Sequence, residues 1–425
     1  MKIITHSRLL TFRAGMLLSL IALSIFTPIN SLLAQGQLTP TAPPGPTMKS
    51  LAQIEPRTPI STAPFTINAS GSYYLTGNLN VSSGDAITIN ASGVTLDLNG
   101  FTISSTASTA AGMAINLVRP NQDITILNGH IQGGVTYSGI SFSTGPGFQN
   151  GIGFSGLTIQ LKNVRISGVS VSGVSLNGIA PGQDSSVIDH CEVRTAGGVG
   201  LSASTVTDSV ANTCGSTAIS AFNVANSRGI AVGGALGVSA TTASNCIGES
   251  DTGTGLSVQN ATTSWGRSNA SGTTGKGVDA QRADNCTGFS QAGTGLNATI
   301  AINCWGATTS GVGLNATSAM NSFGSSDSGI GLNADNVSNS SGTSTSNYGL
   351  AASNASNCSG ASDSSYGLFI PNADYSIARP GGTASFCRGY SRTSFGIFAN
   401  IGIGCNAMSV SGSPEASFGY KYLMP

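Results

Sequence analysis

From residue 182 to residue 366 the chain repeats one alternation of small apolar and polar positions, mostly every 18 residues. Units begin at Gly182, Gly200, Ala218, Gly237, Gly255, Gly277, Gly295, Gly313, Gly331 and Gly349; one has 19 residues and one has 22. Count the first residue of each as offset 0. Offset 1 is aliphatic in every unit but the first, as in Leu256, Leu296, Leu314 and Leu332, where the first has Gln183. Offset 3 is Ala or Val from the second unit on, and offset 6 is Ile, Val or Ala throughout. Offset 9 holds only Cys or Ser, offset 11 is mostly Gly, and offset 13 is mostly Ser or Thr. Offsets 1 and 3, and 9, 11 and 13, follow the two-residue period of a strand, and no 3.6-residue period appears. Each unit is therefore a coil of short strands and tight turns. Coils stacked at about 4.8 Å form parallel sheets. The fold class predicted is all-β, a β-solenoid with 18-residue coils and an interior lined by small side chains.

Offset 8 supports the stacking. It reads Asn226, Asn245, Asn285, Asn303, Asn321, Asn339 and Asn357. Asn accepts the left-handed backbone of a sharp corner, and stacked Asn side chains form a hydrogen-bonded ladder. The other use of such residues is N-glycosylation, as at Asn339.

The rest of the chain is organised around this block. Residues 1–34 have a basic start (Lys2, Arg8, Arg13), an apolar run from Ala14 to Phe26 and a small residue at Ala34, the pattern of a secretory signal peptide. This predicts export, to the cell surface, the medium or a periplasm, with no membrane span after cleavage. Residues 35–64 are a Pro-rich linker, with Met48, Leu51 and Ile54 spaced for a turn or two of helix. Residues 65–181 alternate as strands with larger core residues, including Ile87, Leu96 and Ile103, in longer and less regular coils. Residues 367–425 bring back Phe369, Ile370, Phe386, Phe395, Ile397 and Phe398; they are predicted to be terminal coils grading into a cap over the exposed end.

Three motifs, VTLDLNGFTI (94–103), ITILNGHI (124–131) and VRISGVSVSGV (164–174), resemble right-handed parallel β-helix proteins of the pectin-lyase-like type. GSYYLTGNL (71–79) and YKYLMP (420–425) are similar to a group of exported bacterial β-helix proteins without an assigned activity. The resemblance implies a right-handed coil. An 18-residue coil also suits left-handed β-helices of three hexapeptides, but the aliphatic offsets 1, 3 and 6 are not hexapeptide-spaced.

Composition narrows the function. Only 8% of residues are charged and the net charge is zero, which excludes the basic face needed for nucleic acid. No cofactor or metal motif is present, and calcium-binding Gly-Asp nonapeptides are absent. Five of the eight Cys, at positions 191, 246, 286, 304 and 358, occupy the inward offset 9. There they are small core fillers, although Cys286 and Cys304 stand in consecutive coils, near enough to bridge. Cys387 and Cys405 lie past the regular block and are the candidate disulfide.

The enzymes of the resembled fold cleave polysaccharides with clustered carboxylates. Here the acids are scattered, and Asp189-His190 is the nearest approach to a catalytic pair, with His130 a second lone candidate. His190 falls at the Asn-ladder offset, where a turn role is expected. Binding has a better basis. Offsets 10 and 12 point outward, and they place Ile247, Trp265, Arg267, Phe289, Trp305 and Phe323 along one sheet, including both tryptophans of the chain. Such a strip suits stacking on sugar rings, unless the inserted segment 269–276 or the cap covers it. Arg267 is expected to pair with Glu249 one coil earlier. The leading expectation is thus a non-catalytic binding or scaffold protein for glycan or cell-envelope partners. A polysaccharide lyase or hydrolase, and a purely structural coat component, are the alternatives.

Overall fold

The computed structural model describes residues 56–156, 160–370 and 382–411, and the backbone of 416–422. The signal-peptide segment 1–34 and the short helix expected around residues 48–54 lie outside the described residues. Every described element is a strand. All strand pairs are parallel, and the chain winds through about 19 turns of a β-solenoid with coils near 18 residues between residues 58 and 409. The first strand, Thr58–Ile60, pairs in register with Gly71–Leu75. The solenoid therefore begins inside the segment assigned from sequence to the linker. A Thr-Pro-Ile stretch does not alternate long enough to signal a strand by itself.

Two strands build each central coil. Leu296–Ile302 carries offsets 1 to 7 and Trp305–Thr308 carries offsets 10 to 13; the same pair recurs as Leu314–Met320 and Phe323–Ser326. Offsets 1, 3, 6, 9, 11 and 13 face inward, as in Leu296, Ala298, Ala301, Cys304, Gly306 and Thr308. Leu296, Leu314, Leu332 and Leu350 form a fully buried column along the axis. A Cβ on Gly306 would run into the carbonyl oxygen of Gly313 in the next coil. Glycine is required there because the two faces close on each other, and this narrow section is why Ala, Ser and Cys fill the interior.

The Ser/Thr column at offset 13 is buried and bonded both ways. Ser326 Oγ donates to the Gly311 carbonyl at 2.9 Å and accepts the Gly329 N–H at 2.8 Å. Ser290, Thr308, Ser344 and Ser362 repeat the donor half of this arrangement. A buried hydroxyl with both partners satisfied is stabilising, whereas an orphaned N–H or carbonyl is costly. The repeat thus keeps Ser or Thr here for the turn that follows.

Before residue 182 the coils are wider. The strands Gln122–Gln132 and Lys162–Val174 run around a corner and belong to two faces at once. An additional four-stranded sheet, made by Phe65–Ile67, Ile87–Ile89, Met113–Arg119 and Asn150–Gly156, closes a third face. Ile, Leu and Phe148 fill this part of the core. Each such buried side chain contributes about 1.5–3 kcal/mol of transfer free energy.

After residue 366 the stack continues through Leu368–Ile370, Ile397–Ile403 and Asn406–Ser409 to Ala416–Tyr422. Not all the large apolar residues of this region enter the core. Leu368, Ile370 and Ile397 are buried, but Phe369, Phe395 and Phe398 are half-buried on the outside and Phe386 is 64% exposed. Tyr348, Tyr366, Phe369 and Phe398 stack nearly parallel, with centroids 5.6 Å apart for Tyr348–Tyr366 and for Phe369–Phe398. Rings stacked face to face fasten successive coils and cover one another's flat faces.

Candidate functional site

The aromatic strip is assembled by the in-register pairing of five short strands: Ile247–Ser250, Trp265–Ser268, Thr287–Ser290, Trp305–Thr308 and Phe323–Ser326. At offset 10, Ile247 stacks on Trp265, Trp265 on Thr287, Thr287 on Trp305, and Trp305 on Phe323. At offset 12, Arg267 stacks on Phe289. Their neighbours Gly266, Gly288 and Gly306 turn inward, so the large side chains have no place except outside.

Trp305 is 51% exposed and Ile247 is 39% exposed; Trp265, Phe289 and Phe323 are half-buried. The inserted segment does not cover them. Its Asn269 turns to the far edge of the strand, where Nδ2 donates to Asp251 Oδ1 at 3.1 Å. Trp265 and Trp305 flank a shallow cleft of about 340 Å³ floored by Gly288 and Phe289. The Trp305 and Phe323 rings are 6.5 Å apart and tilted by 54°. Unlike the parallel stack near the C-terminal end, this geometry leaves ring faces open.

Arg267 departs from expectation. Glu249 pairs with Arg228 at 2.7 Å on the opposite side, and the Arg267 guanidinium instead lies 5.7 Å from the Phe289 ring centroid. The reason is register. Arg267 is the direct neighbour of both Glu249 and Phe289, and Arg228 has already taken the carboxylate from the diagonal position. Arg267 makes no ion pair among the described residues and lines the cleft.

The offset-8 residues form the corner beside this strip. Asn226, Asn245, Asn285, Asn303, Asn321, Asn339 and Asn357 all have φ between 48° and 54°. His190, Asp208, Thr263 and Phe386 hold the same left-handed conformation in their own coils. Side-chain bonds link Asn226 to Asp208 at 3.1 Å, Asn245 to Asn226 at 3.0 Å, Asn321 to Asn303 at 3.3 Å and Asn357 to Asn339 at 2.8 Å. The sequence also holds a second ladder not anticipated above. Asn297 donates to Asp279 at 2.7 Å, Asn315 to Asn297 at 2.8 Å and Asn333 to Asn315 at 2.8 Å. Its signal was the Gly-Leu-Asn-Ala run that opens three consecutive units.

Asp189 and His190 occupy the first coil of this corner. His190 Nδ1 lies 2.8 Å from Asp189 Oδ2, and Thr207 donates to Asp189 Oδ1 at 2.6 Å. The Thr207 hydroxyl and then His190 hold the Asp189 carboxyl below its ordinary range, and Asp189 holds the exposed imidazole above its own. Asp208 joins them, with one ligand atom from each of the three within 4.8 Å of the others. The carboxylate separation approaches that of a retaining glycosidase, about 5 Å. Asp189 is held by Thr207 and His190, and Asp208 accepts from Asn226. The group is the solvent-facing start of the ladder. His130 stands apart, bonded to Ser170 at 3.1 Å.

Cys387 and Cys405 are not outside the repeat. They continue the inward offset-9 column directly from Cys358, since Ser359 pairs with Arg388 and Arg388 with Asn406. All eight cysteines are buried free thiols. Burial raises Cys191 to about 11 and Cys214 to about 12. Between stacked thiols the sulfur–sulfur hydrogen bond lowers Cys286 and raises Cys304; likewise it lowers Cys358 and Cys405 and raises Cys387 between them. Their shared role is to fill a narrow core where Ser alternates with Cys.

Fold and surface define a parallel β-solenoid that carries one open aromatic face bordered by a carboxamide spine. Searches of protein-family models, characterised proteins and solved structures return no match to this chain.

Proposed function

We propose that the protein is an exported, non-catalytic β-solenoid of the pectin-lyase-like type that binds glycan, at the cell surface or outside the cell. The observation that carries this reading is the open cleft between Trp265 and Trp305, lined by both tryptophans of the chain with Arg267 and Phe289. An exposed apolar strip of this kind marks an interaction surface, and tilted indole faces suit the CH faces of sugar rings. The basic-then-apolar start of the chain supports export.

The test is a glycan array probed with the wild type and a Trp265→Ala, Trp305→Ala double variant. Loss of at least about tenfold in affinity for the bound glycans is expected, in line with anchor aromatics at binding hot spots. Equal binding by the two proteins, or none by either, rejects the reading.

A further inference from the structure

Between Asn226 and Asn357 the corner ladder has one non-Asn member, Thr263. The rungs on both sides of it are open, as are those from Asn303 to Asn285 and from Asn339 to Asn321, where both residues are Asn. Asn245 donates back to Asn226 at 3.0 Å, but its side-chain oxygen accepts no bond from the Thr263 coil. Asn285, on the other side, makes no side-chain hydrogen bond among the described residues and is exposed. Thr263 is also a poor occupant of this corner. Its φ is 47°, a region unfavourable for a β-branched residue, where asparagine is tolerated. Asparagine would suit the backbone and would place a donor beside Asn245 and an acceptor beside Asn285.

The interruption falls beside the aromatic strip. Asn245, Thr263, Trp265, Asn285 and Thr287 border one depression of about 490 Å³, and Trp265 and Thr287 also line the cleft that continues to Trp305. Arg228, at the far edge, is neutralised by Glu249 at 2.7 Å. This depression therefore offers an indole and two carboxamides with unused donors and acceptors, without a free charge of its own. A carboxamide both donates and accepts, as a sugar hydroxyl does. Local strain retained where a better residue exists points to a use for the site.

We propose that the gap at Thr263 is the polar half of a glycan subsite. Asn245 and Asn285 hydrogen-bond the hydroxyls of a neutral sugar stacked on Trp265, and Thr263 leaves the Asn245 oxygen and the Asn285 amino group without a rung between them. The inference rests on the glycan reading above and adds to it the residues that choose the sugar.

Thr263→Asn seals the gap, and Asn285→Gly removes one amide while suiting the positive φ. Asn357→Gly makes the same change far from the strip. Titration calorimetry of each full chain with cellohexaose, chitohexaose and hexagalacturonate, beside thermal melts, gives the answer. Thr263→Asn is expected to raise the melting temperature and to weaken binding of a neutral hexaose about tenfold, the worth of one or two hydrogen bonds. Asn285→Gly should weaken it similarly, and Asn357→Gly should leave it unchanged. Wild-type affinity in Thr263→Asn and Asn285→Gly, with binding abolished in the double tryptophan variant, overturns the amide subsite and leaves the glycan reading intact. Preference for hexagalacturonate over both neutral hexaoses overturns the neutral sugar. Neither neutral hexaose bound by the wild type overturns this proposal, and no binding to any glycan removes the reading beneath it.

Discussion

The coils before and after residue 182 solve the same problem with different materials. The earlier ones enclose a wide interior and fill it with Ile, Leu and Phe148, held by three faces. The later ones enclose a narrow interior and fill it with Leu, Ala, Cys and Ser, closed by glycine. In the first, side-chain volume carries the stability. In the second, polar columns share the load: the buried hydroxyls of Ser326 and its counterparts, the corner ladder and the Asn297–Asn333 ladder. The contrast explains how a chain with 39% hydrophobic and 8% charged residues folds at all. It also explains why function has space on the later coils, since their core makes no demand on offsets 10 and 12.

This division is open to attack, beginning with the largest effect. Phe148→Ala is expected to cost about 3–5 kcal/mol in urea unfolding, through lost transfer energy and the cavity left behind. Ser326→Ala removes few atoms but strands the Gly311 carbonyl and the Gly329 N–H, at an expected cost of about 1–3 kcal/mol. A negligible loss for Ser326→Ala would mean that backbone pairing alone holds the narrow coils, and the contrast would fail. The smallest effect belongs to Asp189–His190. The lowered Asp189 carboxyl contributes stability that is present above its unfolded value and lost as pH falls through the folded one. The raised His190 contributes stability that is present below its unfolded value and lost as pH rises through the folded one. The pair therefore helps most between roughly pH 4 and 6.5. His190→Asn, which keeps the corner, should flatten a shallow stability maximum in that window; an unchanged pH profile would show that the pair contributes nothing. Solvent screening keeps the effect small.

Much of the fold was legible because stacking forces like residues onto like positions. An 18-residue period fixes which residue lies above which, so the inward offsets, the Asn corner and the outward strip all follow from spacing. What spacing does not carry is the lateral choice of a long side chain. Arg267 turns to Phe289 because Arg228 reaches Glu249 diagonally, and no periodicity encodes that competition. The place of Cys387 and Cys405 was hidden for another reason. The interval from Cys358 to Cys387 is 29 residues rather than 18, so the column was lost to counting although the strands stay in register. Phe369, Phe386, Phe395 and Phe398, expected in terminal coils and a cap, turn outward, since large rings do not fit where Ala and Ser set the width. At the strip, the sequence located the rings but not the gap at Thr263, because a single Thr among Asn residues looks like ordinary drift.

The register itself has a kinetic meaning. The widest separation between paired strand residues is 40, as for Gln122 with Lys162, and in the regular block it is mostly 18. Among the described residues, a 33-stranded sheet thus forms with no pairing between distant parts of the sequence. Loop closure is cheap at every step, so such a chain needs no global search. Once a first coil exists, each new one is templated by the last, and growth runs along the axis like a zip. The wide early coils, with the strongest apolar core, are the natural place for that first coil. A chain emerging from its N-terminal side can then fold in the order in which it appears.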